Sequence, residues 1–381
     1  MRNTQGKTSV LIPDGENLLT LSVINCLAAT KRYKIYVMST LEYTPTRFSR
    51  HVHHFSYVSK PKTAEAWMTI IDSEVDTYDI DFIMPVSEPG IRKLIANKHL
   101  LKASEKLMLV TDLSTFDTAN NKALLSEHLQ AFNIPHPKSC LVSNLSELDT
   151  VKALHFPIIS KPTVGFGGGK HIHIFKDMAA FKTHFKTNSF LGTHIVQEYI
   201  EGYDIDCSVL CKAGEVLAYT IQKGVVNNSS DFAPAYAHVF LQKPKLFAVV
   251  QKLIQTLGWS GIAHIDLRFD VNTQDFKVIE INPRYWLSLE ASLHAGINFP
   301  DLHHKLSIGE TFTAPECNES TYYSLTGVKL KVKQGKSVLF RWKFLKTDTA
   351  IQFFLKDPVP ILYKFFALRF GNVNAVHNFD E

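Results

Sequence analysis

The chain of 381 residues is too long for one ordinary domain, and its 45% hydrophobic content can fill real cores. No apolar run approaches a membrane span, and Met1 to Val10 is polar rather than signal-like. The five cysteines (26, 140, 207, 211 and 317) are an odd number without a CxxC pair, which fits reduced thiols in a cytoplasmic protein.

From residue 7 to 116 strands and helices alternate. Strands are expected at Ser9–Pro13, Lys34–Met38, Phe82–Val86 and Leu107–Thr111, with helices from about Asn17, near Ala64–Val75 and after Pro89. That rhythm predicts a doubly wound parallel sheet over residues 1–116. Asp14-Gly15-Glu16 follows the first strand without a dinucleotide fingerprint, so no NAD site is assigned. His51, His53, His54, His171 and His173 have no carboxylate or cysteine at ligand spacing and read as surface or half-buried histidines.

Residues 117–200 predict a small α+β lobe. Within it, Ile158 to Phe175 reads as a strand ending in Lys161, a loop with Gly165, Gly167, Gly168 and Gly169, and a second strand. Glycines let backbone N–H groups approach phosphate oxygens closely. Three familiar phosphate loops fail: Val164 and His171 break a Walker A motif, Lys170 breaks a dinucleotide fingerprint, and Lys161 precedes the glycines, unlike a kinase lysine. A glycine flap between strands remains. Then His194 to Val209 begins as an apolar strand, breaks at Gly202, and resumes with Ile205, Cys207 and Val209 on one face.

Residues 201–315 predict a larger lobe with antiparallel strands, a helix near 244–257, and a hairpin from Ser260 to Arg284. Both hairpin arms alternate, with turn residues Asn272 to Asp275 between them. If Asp270 pairs with Phe276, Asp266 lies opposite Glu280, while Ile265, Leu267, Phe269, Ile279 and Ile281 point to the other face. Directly opposed carboxylates repel, and a divalent cation between them removes that objection. Oxygen donors from Asp, Glu and Asn suit magnesium or manganese rather than zinc. Arg284 could hold a phosphate or carboxylate oxygen with its planar fork.

Lys122 on a helix, Lys161 before the flap, Gln197-Glu-Tyr-Ile-Glu-Gly-Tyr-Asp204, then Asp266 and Glu280-Ile-Asn-Pro-Arg284 resemble, in that order, the ATP-grasp superfamily. The similarity covers roughly residues 105–310 and is strongest to the carboxylate–amine ligase branch, related to the ATP domains of carbamoyl-phosphate synthase. The resemblance implies a Rossmann-like domain ahead of a two-lobed ATP-grasp fold, with ATP between the lobes. It implies that Lys122 and Lys161 hold the ATP phosphates under the 165–169 flap. The Glu198 carbonyl and the Ile200 amide would bracket the adenine edge, with Asp204 on the ribose. Asp266, Glu280 and Asn282 would bind Mg2+ or Mn2+, and Arg284 and Lys161 would act on the transferred phosphoryl group. Asp204 stands where the family usually has Glu, and Asp266 where the synthase branch often has Gln. The implied reaction joins a small-molecule carboxylate to an amine through an acyl phosphate, releasing ADP and phosphate. Bicarbonate activation or a non-catalytic ATP sensor are the alternatives.

The tail, 316–381, holds ten Lys or Arg against six Asp or Glu, a net +4 of the whole chain's +5. Lys329 to Lys346 carries seven basic residues and no acid, which reads as a strand pair with a solvated basic edge. The second reading is an anionic partner or membrane surface. Phe353, Phe354, Phe365 and Phe366 suggest docking onto the main body or a homodimer partner. The stacking motifs of an RNA module are absent, and no nucleic acid is expected.

Overall fold

The computed structural model describes residues 6–165, 171–188, 192–228 and 233–369. Strands β1 (Thr8–Ile12), β2 (Tyr33–Ser39), β3 (Val52–Tyr57) and β4 (Phe82–Ile83) form a parallel sheet in the order β3-β2-β1-β4. Val10 and Ile12 pack with Val23 and Leu27 of the helix Thr20–Thr30, whereas Leu11 and Met38 pack with Trp67 and Ile71 of the helix Ala64–Tyr78. Helices therefore cover both faces, as the apolar run of β1 requires. The expected strand Leu107–Thr111 is reduced to a single parallel bridge from Leu107 to Ile83. Its partner strand is short because Pro85 has no N–H to give, and the next amide, Val86, donates instead to Asp14 Oδ2 at 2.7 Å.

The second sheet is antiparallel, made of β5 (Ser139–Val142), β6 (Ile158–Pro162), β7 (His173–Phe175) and β8 (His194–Glu198) in the order β5-β8-β6-β7. The helix Met178–Thr187 covers it through Phe181 and Phe185.

The third sheet has six antiparallel strands: β9 (Gly202–Lys212), β10 (Glu215–Val226), β11 (Ala237–Phe240), β12 (Gly261–Asp270), β13 (Asp275–Asn282) and β14 (Thr321–Tyr323). Their order is β13-β12-β9-β10-β11-β14, so the last strand comes from beyond residue 315. The helix Pro244–Leu257 buries Leu246, Val250, Leu253 and Ile254 against one face, beside Leu125 and Leu129 of the helix Lys122–Ala131. Gly202 opens β9 because a Cβ there would lie 1.8 Å from the carbonyl oxygen of Phe269.

The hairpin register departs from expectation at the turn. Asp270 pairs with Asp275, not Phe276, and a bulge after Asp266 takes up the extra residue, so Asp266 still faces Glu280. Val278 and Ile281 are buried in the core, with the bulged Ile279 only half-buried between them.

The tail also differs. Lys329 to Lys346 runs through the helix Leu325–Gln334, the 3-10 turn Lys336–Phe340 and the helix Trp342–Thr347 rather than a strand pair. Ser324 caps the first helix by accepting from Gly327 N at 3.1 Å. Val328 and Val332, one helical turn apart, pack with Val338 and Leu345. The cap and this small core override the alternation of the sequence. Phe353 docks on Phe240, Ala291, Ala295 and Tyr322, and buried Asp357 accepts from Ser49 Oγ at 2.5 Å. Phe365 and Phe366 stay largely exposed.

Candidate active site

The site begins with the pleat. Direct cross-strand partners point to the same side of a sheet, and β9, β12 and β13 align Asp206 with Asp266 and Asp266 with Glu280. One residue pair further along, Ser208, His264 and Asn282 form a second polar row. Asn282 Nδ2 donates to Asp266 Oδ2 at 3.2 Å, and Arg284 Nη2 donates to Asn282 Oδ1 at 2.9 Å. Four of the expected residues therefore meet at one end of the hairpin.

Two lysines close the site from the other side. Lys122 opens its helix behind the cap Asn121, and its backbone N–H donates to Thr163 O at 2.9 Å, tying it to the end of β6. Its Nζ lies 3.2 Å from Glu280 Oε2. Lys161 is buried on β6, with Glu280, Asp266 and Asp204 acting on its charge. Burial lowers the Lys161 ammonium to about 8, although Glu280 pulls it back up. Burial also opposes ionisation of Glu280, but Lys122 and Lys161 outweigh it and hold the carboxyl at about 2. Burial pushes Asp266 well above the usual carboxylate range, and Asp206 and Glu280 add to the rise. Asp206 is raised for the same first reason, with Asp204 and Glu280 contributing.

Three residues at the site escape a reading by motif. Asp206 is one, although the alternation Asp204-Ile205-Asp206 signals its face. His264 is the second: its Nε2 lies 3.3 Å from Asp266 Oδ1 and its Nδ1 lies 2.9 Å from Ser208 Oγ, with the ring stacked on Trp286. Burial, with Arg284 adding to it, lowers His264 to about 3, so the ring is neutral. Asp206, His264 and Asp266 each present a donor atom within 4.8 Å of the others, a grouping that joins residues of β9 and β12 and has no counterpart in the chain spacing of the histidines. Glu88 is the third, 3.8 Å from Arg284 Nε at the start of the helix Glu88–Ala96.

The remaining expected residues are more dispersed. Asp204 is exposed and paired with Arg268, whose Nη1 lies 2.5 Å from Asp204 Oδ1. Arg268 also donates to Ile200 O at 2.6 Å, Gly202 O at 3.0 Å and Tyr199 Oη at 3.0 Å, fixing the segment between β8 and β9. Glu198 ends β8, and its side chain accepts from the backbone and ring of His155. Gly165 follows β6, while Gly167, Gly168 and Gly169 lie outside the described residues.

The donor set fits a hard divalent cation. Three carboxylates in one row are opposed by two lysines, and every acidic donor offers oxygen. Asp266, Glu280 and Asn282 would hold the ion, with Asp206 and His264 adjoining, and the ion would supply positive charge to neutralise an anionic ligand.

Comparison with known proteins accords with this geometry. Residues 119–287 match the family described as the ATP-grasp domain. The carbamoyl phosphate synthase large chain of Methanobrevibacter smithii is 25% identical over 270 residues, covering 66% of this chain and 25% of that one. That of Clostridium acetobutylicum is 26% identical over 242 residues, covering 56% and 22%. The chain thus spans about a quarter of the length of these curated relatives. Among solved structures, N5-carboxyaminoimidazole synthetase from Staphylococcus aureus complexed with ADP superposes with a TM-score of 0.69 at 16% identity, covering 87% of each chain. The L-amino acid ligase from Bacillus licheniformis gives 0.60 at 18% identity, covering 81% of this chain and 77% of that one. Residues 119–287, which carry Lys122, Lys161 and the hairpin residues Glu280, Asn282 and Arg284, thus match the ATP-grasp domain family.

Proposed function

We propose that the protein is an ATP- and magnesium-dependent carboxylate–amine ligase that forms an amide bond and releases ADP and phosphate. The observation that carries this reading is the Lys122–Glu280 contact at 3.2 Å, which joins the lysine side of the site to the carboxylate row. A carboxylate is a poor electrophile, and transfer of the γ-phosphoryl group turns it into an acyl phosphate that an amine can attack. Such transfer depends on positioning and charge neutralisation. Lys122 and Lys161 would hold the phosphates, and Arg284 would turn its fork towards the transferred group. Asp266, Glu280 and Asn282 would hold Mg2+ or Mn2+, with adenine against Glu198 and Ile200 and ribose near Asp204. The loop containing Gly165, Gly167, Gly168 and Gly169 would exclude water from the acyl phosphate. We assign residues 1–116, 117–200, 201–315 and 316–381 as the pre-ATP-grasp domain, the two lobes and the tail. A cytoplasmic setting and a homodimer belong to the same proposal.

The test is incubation with ATP, magnesium, hydroxylamine and a pool of carboxylates that includes bicarbonate. ADP with hydroxamate, lost in Glu280→Gln, supports the ligase. ADP formed only with bicarbonate shifts the assignment to carboxylation or carbamoyl phosphate formation. AMP sinks the acyl-phosphate route, and tight ATP binding without turnover favours a regulatory module.

A further inference from the structure

The basic tail takes no part in the site, and its surface chemistry is unusual. Phe340, Arg341, Trp342 and Lys343 follow one another where the 3-10 turn Lys336–Phe340 meets the helix Trp342–Thr347. Phe340 is 87% exposed and Trp342 60%, although both are large enough to bury in a core. Lys329, Lys333, Arg341, Lys343 and Lys346 are also exposed, and none has an acidic partner among the described residues. The short helices continue from this tip, each packed on the next, through Ile351–Lys356 to Pro358–Arg369. They expose Leu355, Val359, Leu362 and Phe365 as well. Val359, Leu362 and Phe365 are three residues apart and run along one side of the last helix.

We infer that this segment, centred on Phe340 to Lys343, is a docking surface for a lipid bilayer rich in anionic headgroups. Aromatic side chains sit at the boundary between headgroups and acyl chains, while unpaired Lys and Arg draw anionic lipid to them. The exposed aliphatic residues decide between partners. Leucine and valine have no base to stack on, but they enter an acyl layer, so the combination fits a bilayer better than a single-stranded nucleic acid. No helix of the described residues is long and apolar enough to cross a membrane, so attachment would be peripheral. The segment is anchored to the body by Phe353 and Asp357 and by Tyr363 of the last helix against Phe48, while Phe340 and Trp342 at the tip stay exposed.

The test uses the full chain and sedimentation with vesicles of phosphatidylcholine, alone or with about one-third phosphatidylserine. The expected result is sedimentation with the phosphatidylserine vesicles only, weakened at least about tenfold by raising salt towards 0.5 M. Phe340→Ala/Trp342→Ala and Arg341→Glu/Lys343→Glu should each reduce it by a similar factor while circular dichroism stays unchanged. No sedimentation, or sedimentation indifferent to both variants, overturns the inference. So does binding of a fluorescent single-stranded oligonucleotide that survives competition by the vesicles.

Discussion

Asp206 stands directly opposite Asp266 across the β9–β12 ladder, and Asp266 stands opposite Glu280 on its other side. Like charges placed directly opposite one another destabilise an ordinary sheet. Under the proposed function the row is completed by a divalent ion, and its cost should be visible when divalent metal is withheld.

Replacing Asp206 tests that cost. In EDTA, Asp206→Asn should raise stability by at least about 1 kcal/mol above pH 8, where the carboxyl must ionise, and by less at lower pH, where it keeps its proton. In millimolar Mg2+ or Mn2+ the advantage should shrink or reverse, because the wild type gains more from the ion. The pH sense follows from the raised carboxyls. Their folded pKa values exceed the unfolded ones, so the folded state keeps protons that the unfolded chain has lost. Metal-free stability then falls as pH rises from the unfolded value of 3.8 towards the Asp206 value of about 8, and the variant should flatten that fall. Thermal unfolding across pH, with and without metal, reads all of this. A variant less stable than wild type in EDTA would contradict the argument.

The hairpin and the doubly wound start were legible because each is a local pattern, period-two alternation in one and strands spaced by helices in the other, whereas Lys122 and the phosphate role of Lys161 entered through the family resemblance alone. Asp206 and His264 were not singled out. β9 and β12 are neighbours in space but are separated in the chain by β10, β11 and a helix, so no local spacing announces the row they share. The hairpin register was misjudged by one residue at the turn, since a bulge changes the count without changing composition. The lysine-rich tail misled for a different reason. Val328-Lys-Leu-Lys-Val-Lys333 alternates like a strand, and only the Ser324 cap and the contacts of Val328 and Val332 make it helical.

Lys161 provides a second prediction. Its folded pKa is lowered from 10.5 to about 8, so the unfolded state binds the extra proton between those values. Stability should therefore rise as pH increases from about 8 to 10.5, with the whole penalty, roughly 3 kcal/mol, present below that window. ATP affinity should move the other way, falling as pH passes about 8 and the ammonium is lost. Lys161→Met should remove both trends and weaken ATP binding by at least about tenfold, a loss of one charge-assisted contact. Isothermal titration with ATP between pH 7 and 9.5 checks the second trend. An affinity unchanged over that range, in the wild type, would remove Lys161 from the phosphate site.

Arg268 makes the last prediction. One guanidinium bonds the carbonyls of Ile200 and Gly202, the hydroxyl of Tyr199 and the carboxylate of Asp204. The planar fork reaches these acceptors together, whereas a lysine ammonium would satisfy fewer of them. Arg268→Lys should cost about 1.5–3 kcal/mol of stability through carbonyls left without a donor. It should also raise the KM for ATP several-fold, since the segment it fixes carries the proposed adenine contact at Ile200. Asp204→Asn is the internal comparison. Asp204 is 73% exposed, so its share of the pair should be worth less than about 1 kcal/mol. Urea unfolding of the two variants, beside ATP kinetics, separates the effects. Equal destabilisation by both would mean that the ion pair, not the hold on the backbone, is what Arg268 contributes.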